Sequence, residues 1–343
     1  MPRVLVSGVN GFIGSNVTAE LLKAGYQVRG TLRGAKIESC KAAISHKFPH
    51  LEVVQVDDIA TADLTDVLGG VDAIIHVAVP LPFGGSDLKE NLNIAIEGYV
   101  NVLRQAVKAG ISKVVITGSW AATIDPTMEQ AFEGLVSTEK DWGHATEEEF
   151  LSGKHADNPM WIYSAAKILG ERAAWKFAAN EPSLDLSIII PPFIFGPYVP
   201  GFPLPVAQSA LSSNQHIYAL LTGIVPPPLP PLFCHVRDVA RAHVAALNVP
   251  KATSDVEDKR FLICGGSLVW KNAIEYLHNT RPELKERIPA VDAPVIPFPG
   301  PPTTIDASRA RRILNMEKYC DWTETLVDTV ESLMETEKTW VKA

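Results

Sequence analysis

Short β-branched runs alternate, through the first half of the chain, with segments whose apolar residues recur every three to four positions. This is the pattern of parallel strands joined by crossover helices. Residues 4–7, 27–32, 52–56, 73–77, 113–117 and 186–190 read as strands, and residues 12–24, 36–47, 61–68, 87–109 and 161–180 as helices. The first helix sets Ile13, Val17 and Leu21 on one face and stops at Gly25. Runs such as A-I-I-H-V-A and V-V-I-T are apolar on both faces, so the sheet they form needs helices on each side. The expected fold class is α/β, a doubly wound parallel sheet.

The alternation stops after Ile190. Residues 186–236 hold no Asp, Glu, Lys or Arg, and a hydropathy window would respond to them as to a membrane span. Eleven prolines between Pro191 and Pro231 deny the stretch the continuous hydrogen bonding that a bilayer demands. It is expected to be irregular chain covered by protein, or the wall of a cavity. Beyond it, residues 260–264 read as one more strand, and residues 267–279 and 322–339 as helices. Residues 234–247 read as an amphipathic helix that returns to the first lobe. The expected organisation is interleaved, with residues 1–190 and 233–265 in the sheet domain and residues 191–232 and 266–343 in a smaller, mostly irregular or helical lobe.

The 343 residues are 46% hydrophobic and 20% charged, which suits one large or two medium domains and rules out disorder. A formal net charge of −8, with no run of Lys or Arg, speaks against nucleic acid or an anionic membrane as partner. Cys40, Cys234, Cys264 and Cys320 stand far apart without a C-x-x-C pair, so reduced thiols are expected rather than a metal site or a disulfide framework. The opening M-P-R-V-L-V-S-G enters a strand directly, without the regions of a signal peptide, and the expected location is the cytoplasm.

The stretch S-G-V-N-G-F-I-G places Gly8, Gly11 and Gly14 between the first strand and the first helix. There, bare backbone N–H groups and the helix dipole can hold a pyrophosphate. Gly8 permits the tight turn, Gly11 the approach of phosphate, and Gly14 the packing of helix on sheet. This position in an alternating α/β chain makes the sheet a Rossmann-type dinucleotide-binding domain. NAD-dependent sheets usually present an acid to the ribose about 20 residues further on. Here no acid lies between Leu21 and Ile37; Arg33 stands at the strand end and Lys36 just beyond, where two cations could grip a 2′-phosphate. The expected cofactor is NADPH, with Lys36 equally readable as a solvated surface cation.

A carbonyl reductase needs an acid that gives a proton to oxygen as hydride arrives at carbon. W-I-Y-S-A-A-K carries Tyr163 and Lys167 one helical turn apart on one face, and none of the other six tyrosines has Lys four residues on. The ammonium is expected to lower the phenol's pKa. V-V-I-T-G-S-W ends a central strand at the carboxyl edge, where ligands of such sheets bind. Ser119 is the candidate to orient the substrate oxygen, against the blander role of a turn cap. Thr117 is read as a backbone or packing residue at the cofactor's edge.

These residues resemble the extended short-chain dehydrogenase/reductases over nearly the whole chain. The resemblance rests on the glycine turn, D-D-I (Asp57 to Ile59), H-V-A (His76 to Ala78), the Ser119, Tyr163 and Lys167 set, P-P-F-I-F-G-P (Pro191 to Pro197) and H-V-R-D-V-A-R-A-H (His235 to His243). Within that family, W-I-Y-S-A-A-K with A-A-W-K-F, and the basic end of V-R-G-T-L-R, are most similar to fungal and yeast NADPH-dependent aldehyde and ketone reductases related to dihydroflavonol and cinnamoyl-CoA reductases. The resemblance implies that Tyr163 is the acid, that Lys167 holds the nicotinamide ribose, and that Ser119 orients the carbonyl of a small-molecule substrate. It places NADPH against Asn10, Phe12 and Ile13 of the glycine turn, Asp58 and Ile59 at the adenine, Ala78, Val79 and Pro80 beside it, and Pro192, Phe193 and Ile194 at the nicotinamide. It also gives the charge-free stretch a use as substrate wall. Phe202, Leu204, Leu220, Leu221, Val225 and Leu229 would line an apolar cavity with Trp120, unless they form the core of the small lobe.

The sequence also departs from its relatives. Sugar-nucleotide epimerases and dehydratases carry an R-D-F-x-H-V stretch whose Arg meets a diphosphate, whereas this chain has Pro231 and Leu232 in P-P-L-F-C-H-V. Plant dihydroflavonol enzymes have an Asn five positions after the catalytic Ser, where this chain has Ile124. Glu97 stands where relatives often have Asn. His235, Arg237 and Asp238 are assigned to joining the lobes, and His76 to a satisfied place on a buried strand. The rival readings are a nucleotide-sugar epimerase or dehydratase and a non-catalytic NADP(H) sensor.

Overall fold

Seven parallel strands run through the centre of the protein in the order β3-β2-β1-β4-β5-β7-β10. In chain order the strands are β1 (Arg3–Ser7), β2 (Gln27–Leu32), β3 (Leu51–Gln55), β4 (Ala73–His76), β5 (Lys113–Thr117), β6 (Val136–Ser137), β7 (Asp185–Ile190), β8 (Phe193–Phe195), β9 (Leu232–His235), β10 (Arg260–Leu262), β11 (Gly266–Ser267) and β12 (Thr304–Ile305). The helices are α1 (Phe12–Lys23), α2 (Ile37–Ile44), α3 (Thr65–Leu68), α4 (Leu88–Lys108), α5 (Glu147–Leu151), α6 (Pro159–Ala179), α7 (Gln215–Leu221), α8 (Val236–Leu247), α9 (Trp270–Thr280), α10 (Ser308–Leu314) and α11 (Trp322–Glu337). The computed structural model describes residues 1–34, 37–44, 47–79, 87–251 and 259–340.

Two apolar layers cover the sheet, as strands apolar on both faces require. One holds Leu5, Ile74, Leu103, Ile116 and Ile188; the other holds Val4, Val17, Ile75, Val115 and Phe261. The strand order reverses between β1 and β4, which pair Val4 with Ala73 through Ser7 with His76. A crevice therefore opens at the carboxyl ends of these two strands. No helix among the described residues is long and apolar enough to cross a membrane.

The helix that matters most for the site, α6, begins at Pro159 rather than at 161. Asn158 caps it by accepting N–H bonds from Met160 and Trp161, both at 3.1 Å, and proline in the first turn surrenders a donor that had no partner to lose. The helix expected at 61–68 shrinks to α3, because the Asp58 and Asp63 carboxylates hold Ala60 and Thr65 N–H groups in turns. The helix expected from 234 starts at Val236, since β9 claims the preceding residues and His235 caps the helix by accepting from Arg237 N–H at 3.0 Å.

The second half is more regular than expected. A three-stranded sheet, β11-β9-β8, lies beside the main one. It packs with α7, α9 and α11 around Phe195, Leu220, Phe233, Leu277 and Leu333. Its strands are two to four residues long and flanked by Pro192 and Pro231, too short for a periodic signal. His235, Arg237 and Asp238 join α8 to the carboxyl-terminal segment. Arg237 meets Asp328 at 2.7 Å, His235 approaches the same carboxylate at 3.5 Å, and Asp238 accepts from Cys320 N–H at 2.8 Å.

Candidate active site

The turn after β1 is shaped by contacts that only glycine tolerates. Gly8 has φ +68°, and a Cβ there would lie 2.7 Å from the Ala78 Cβ at the end of β4. A Cβ on Gly14 would fall 2.1 Å from the Gly8 carbonyl oxygen, so helix α1 sits against the turn with no room for a side chain. On Gly11, which caps α1, a Cβ would meet only that carbonyl, at 3.2 Å. The residues therefore fit a pyrophosphate, with a side-chain-free helix start aimed into the crevice. Asn10 in the turn and Phe12 and Ile13 at the start of α1 are partly accessible, and Phe12 packs its ring 5.3 Å from Tyr198.

Beneath the turn lies a pair that sequence reasoning did not single out as a unit. The His76 Nδ1 and the Ser7 hydroxyl meet at 2.7 Å, and His76 Nε2 donates to the Gly98 carbonyl at 2.7 Å. Burial lowers the His76 pKa to about 4, so the ring is neutral. Ser7 then gives its proton to Nδ1 and accepts from Val77 and Ala78 N–H at 2.9 and 3.0 Å. His76 is thus a satisfied residue of a buried strand, as expected, and it fixes the segment that carries Ala78 and Val79. Pro80 and Lys36 lie outside the described residues.

At the end of β2 the Arg33 side chain is exposed beside the crevice. The next residue is anchored: Gly34 N–H donates to Asp57 Oδ1 at 2.6 Å, and this bond, with one from Gln55, holds the Asp57 carboxyl below its usual range. Asp58 binds Ala60 N–H and the Thr61 hydroxyl, and Ile59 is buried, its carbonyl held by Asn101 at 2.9 Å.

The chain brings Ser119, Tyr163 and Lys167 together. Ser119 follows β5 and is pinned by its neighbours, since Gly118 N–H donates to the Ile189 carbonyl at 2.8 Å and Trp120 N–H to that of Pro191 at 2.9 Å. Its hydroxyl accepts from Ala121 N–H at 3.2 Å, which is the turn-cap role, and from the Tyr163 hydroxyl at 3.2 Å, which is the chemical one. Lys167, 7% exposed, holds its ammonium 5.7 Å above the Tyr99 ring and 5.9 Å from the Tyr163 ring. Tyr99, on α4, was not foreseen; a lone tyrosine in an amphipathic helix carries no signal of what it faces.

The ionisation of the pair differs from expectation. Burial pushes the Tyr163 phenol above its ordinary value, with the Ser119 bond opposing, and burial lowers Lys167 to about 8 against the pull of Glu171. The expected lowering of the phenol is absent in the protein alone because desolvation outweighs an ammonium nearly 6 Å from the ring centroid. At neutral pH the phenol keeps its proton and the amine remains charged.

Other expected residues scatter. The Thr117 hydroxyl bonds His243 at 2.7 Å and ties β5 to α8. Pro192 and Phe193 are partly exposed and Ile194 buried; the Phe193 ring meets His216 edge-on at 5.7 Å. The residues expected at the substrate wall fall in different apolar clusters. Trp120 is buried in the main core with Ile124, its indole N–H donating to Ser137 at 3.0 Å. Leu220 and Leu221 belong to the core of the small sheet, with Val225 and Leu229 partly buried against it. Phe202 packs elsewhere, among Val9, Leu32 and Ile44, and Leu204 is partly exposed. Trp120, Phe202, Leu220 and Leu221 are all buried within these clusters.

The model of the NAD dependent epimerase/dehydratase family matches residues 4–259. Ketoreductase azaE of Aspergillus niger is 32% identical, covering 97% of this chain and 98% of its own length. Aldehyde reductase 2 of Sporidiobolus salmonicolor is 29% identical over 79% of each chain. Gre2 of Candida albicans, solved in complex with NADPH, superposes with a TM-score of 0.81 at 29% identity, over 98% of this chain and 99% of that one. With the glycine turn, the reversed strand order and the Ser119, Tyr163 and Lys167 cluster in place, the chain belongs to the NAD dependent epimerase/dehydratase family, among the extended short-chain dehydrogenase/reductases.

Proposed function

We propose that this chain is an NADPH-dependent carbonyl reductase that acts on an aldehyde or ketone with an aromatic or otherwise apolar flank. One observation carries the reading: the hydroxyls of Tyr163 and Ser119 meet at 3.2 Å, with a buried Lys167 beside them, at the carboxyl end of β5. When bound, NADPH supplies the hydride. Tyr163 Oη gives its proton to the substrate oxygen, and Ser119 Oγ holds that oxygen in place. The phenolate left on Tyr163 is stabilised by the Lys167 ammonium. A phenol raised by burial suits this direction, because reduction consumes a proton that the acid must hold beforehand. Arg33, exposed at the end of β2, would hold the 2′-phosphate, and residues 1–190 with 233–265 would supply most of the cofactor site while residues 191–232 and 266–343 would cover the substrate. Four free cysteines fit a reducing compartment such as the cytoplasm.

Relatives named as a ketoreductase and an aldehyde reductase, and a neighbour solved with NADPH, support the cofactor and the reaction class. At the position where sugar-nucleotide relatives place their Arg, this chain buries Pro231 and Leu232. The test is NADPH oxidation across aromatic ketones, β-keto esters and aldehydes, with product chirality determined. Carbonyl-dependent oxidation giving one predominant enantiomer from a prochiral ketone is the expected result. Turnover of a nucleotide sugar without net cofactor consumption, or NADPH binding with no carbonyl reduced, would overturn it.

A further inference from the structure

Helix α6 carries Tyr163, Lys167 and Glu171 at four-residue intervals, so all three share one face. Glu171 is 0% exposed, and so is the Arg260 that meets it from β10 at 2.7 Å. Glu171 Oε1 takes the Arg260 Nε–H and the Trp175 indole N–H. Its Oε2 accepts no hydrogen bond among the described residues and lies under Gly118, where an added Cβ would come within 3.3 Å of it. The guanidinium is clamped in turn. It donates to the Glu139 and Asp141 carbonyls at 2.7 and 2.6 Å and stacks 3.7 Å from the Trp142 ring.

A fully buried ion pair is a poor source of stability, because desolvating both charges offsets their attraction. Its placement is the informative fact. Glu171 lies one turn beyond Lys167 and directly below the backbone that delivers Ser119. We propose that Glu171, held by Arg260, is a positioning residue of the reductase, keeping Lys167 in its charged form beneath Tyr163 and bracing the Gly118–Ser119 backbone. This rests on the role of Lys167 in the proposed reduction. Among the described residues, the other groups around Lys167 give it no negative charge: Tyr163 on its own helix, Tyr99 from α4 and neutral His76 from β4. Glu171 faces Lys167 along α6, Tyr99 from α4 and Arg260 from β10. Its carboxylate opposes the burial that draws protons off Lys167.

The test is the pH profile of kcat/KM for NADPH-dependent carbonyl reduction, read in the parent, Glu171→Gln, Glu171→Asp and Lys167→Met. Glu171→Gln is expected to move the alkaline limb about one pH unit lower, a loss that reaches about tenfold at pH values above the parent's limb. Glu171→Asp, which keeps the charge, restores most of the parent profile. Because a lone Arg260 could unfold the single variant, the double variant Glu171→Gln with Arg260→Met removes both buried charges and is expected to show the same acidward shift. If a folded Glu171→Gln or double variant gives a profile that superposes on the parent's while Lys167→Met is inactive, the inference about Glu171 fails and the reaction stands. If Lys167→Met itself keeps parental activity, the assigned role of Lys167 fails and Glu171 loses its role with it.

Discussion

The Ser7 hydroxyl and the His76 imidazole meet at 2.7 Å beneath the glycine turn, and the ring that receives this bond is wholly buried. His243 repeats the arrangement on the other side of the sheet, accepting from Thr117 through Nε2 while Nδ1 donates to the Val239 carbonyl at 2.7 Å. Both rings have pKa values pulled down to about 4 by burial, against 6.5 for an unperturbed histidine.

A folded pKa below the unfolded one means that the unfolded chain binds the extra proton. The stabilisation is therefore complete above pH 6.5 and is lost as pH falls towards 4. Each ring should cost about 2 kcal/mol of stability between pH 7 and pH 5. Urea unfolding at the two pH values checks this. The His243→Gln variant should lose about 2 kcal/mol less than the parent over that interval, and an identical loss would contradict the assignment.

Arg33 stands exposed at the end of β2, next to an anchored Gly34. If it grips a 2′-phosphate, Arg33→Asp removes a charge-assisted bond and introduces repulsion. KM for NADPH is expected to rise about 10- to 100-fold, with KM for NADH changed far less. Steady-state kinetics with both cofactors decide it, and equal changes would refute the contact.

Gly14 leaves 2.1 Å between an added Cβ and the Gly8 carbonyl oxygen. Gly14→Ala must displace α1 from the turn, at a cost of about 3 kcal/mol or more. Thermal unfolding and NADPH fluorescence titration should both show the loss. Parental stability with parental affinity would mean that the turn is not built as described.

Tyr99 is fully buried with a hydroxyl that has no hydrogen-bond partner among the described residues, while its ring lies 5.7 Å from the Lys167 ammonium. Tyr99→Phe keeps the ring and removes the unpaired group, so stability should hold or rise by up to about 1 kcal/mol with activity maintained. Tyr99→Leu removes the ring and is expected to lower activity. Equal activities in the two variants would show that the ring contributes nothing to Lys167.

What could be read from the chain follows the length and periodicity of its elements. The six expected parallel strands and the helices carrying Ile13 or Tyr163 announce themselves through repeated apolar positions, and the glycine turn through its spacing together with its place between the first strand and the first helix. The small sheet did not, because β8 has three residues and β11 two. Ser119 and Tyr163 lie 44 residues apart, yet the strand-end rule brings them to one place. Glu171 and Arg260, separated by 89 residues, had no such rule to join them. Trp120, Phe202, Leu220 and Leu221 show the converse. Their apolar character fits a cavity wall and a core equally, and only packing distinguishes the two.

The most direct measurement is the rate of carbonyl-dependent NADPH oxidation by Tyr163→Phe, with NADPH affinity determined on the same preparation. A variant that binds NADPH as the parent does but whose kcat falls about 10²- to 10⁴-fold is the expected result for loss of the proton donor. A variant that reduces the same aryl ketones and aldehydes at the parental rate would contradict it.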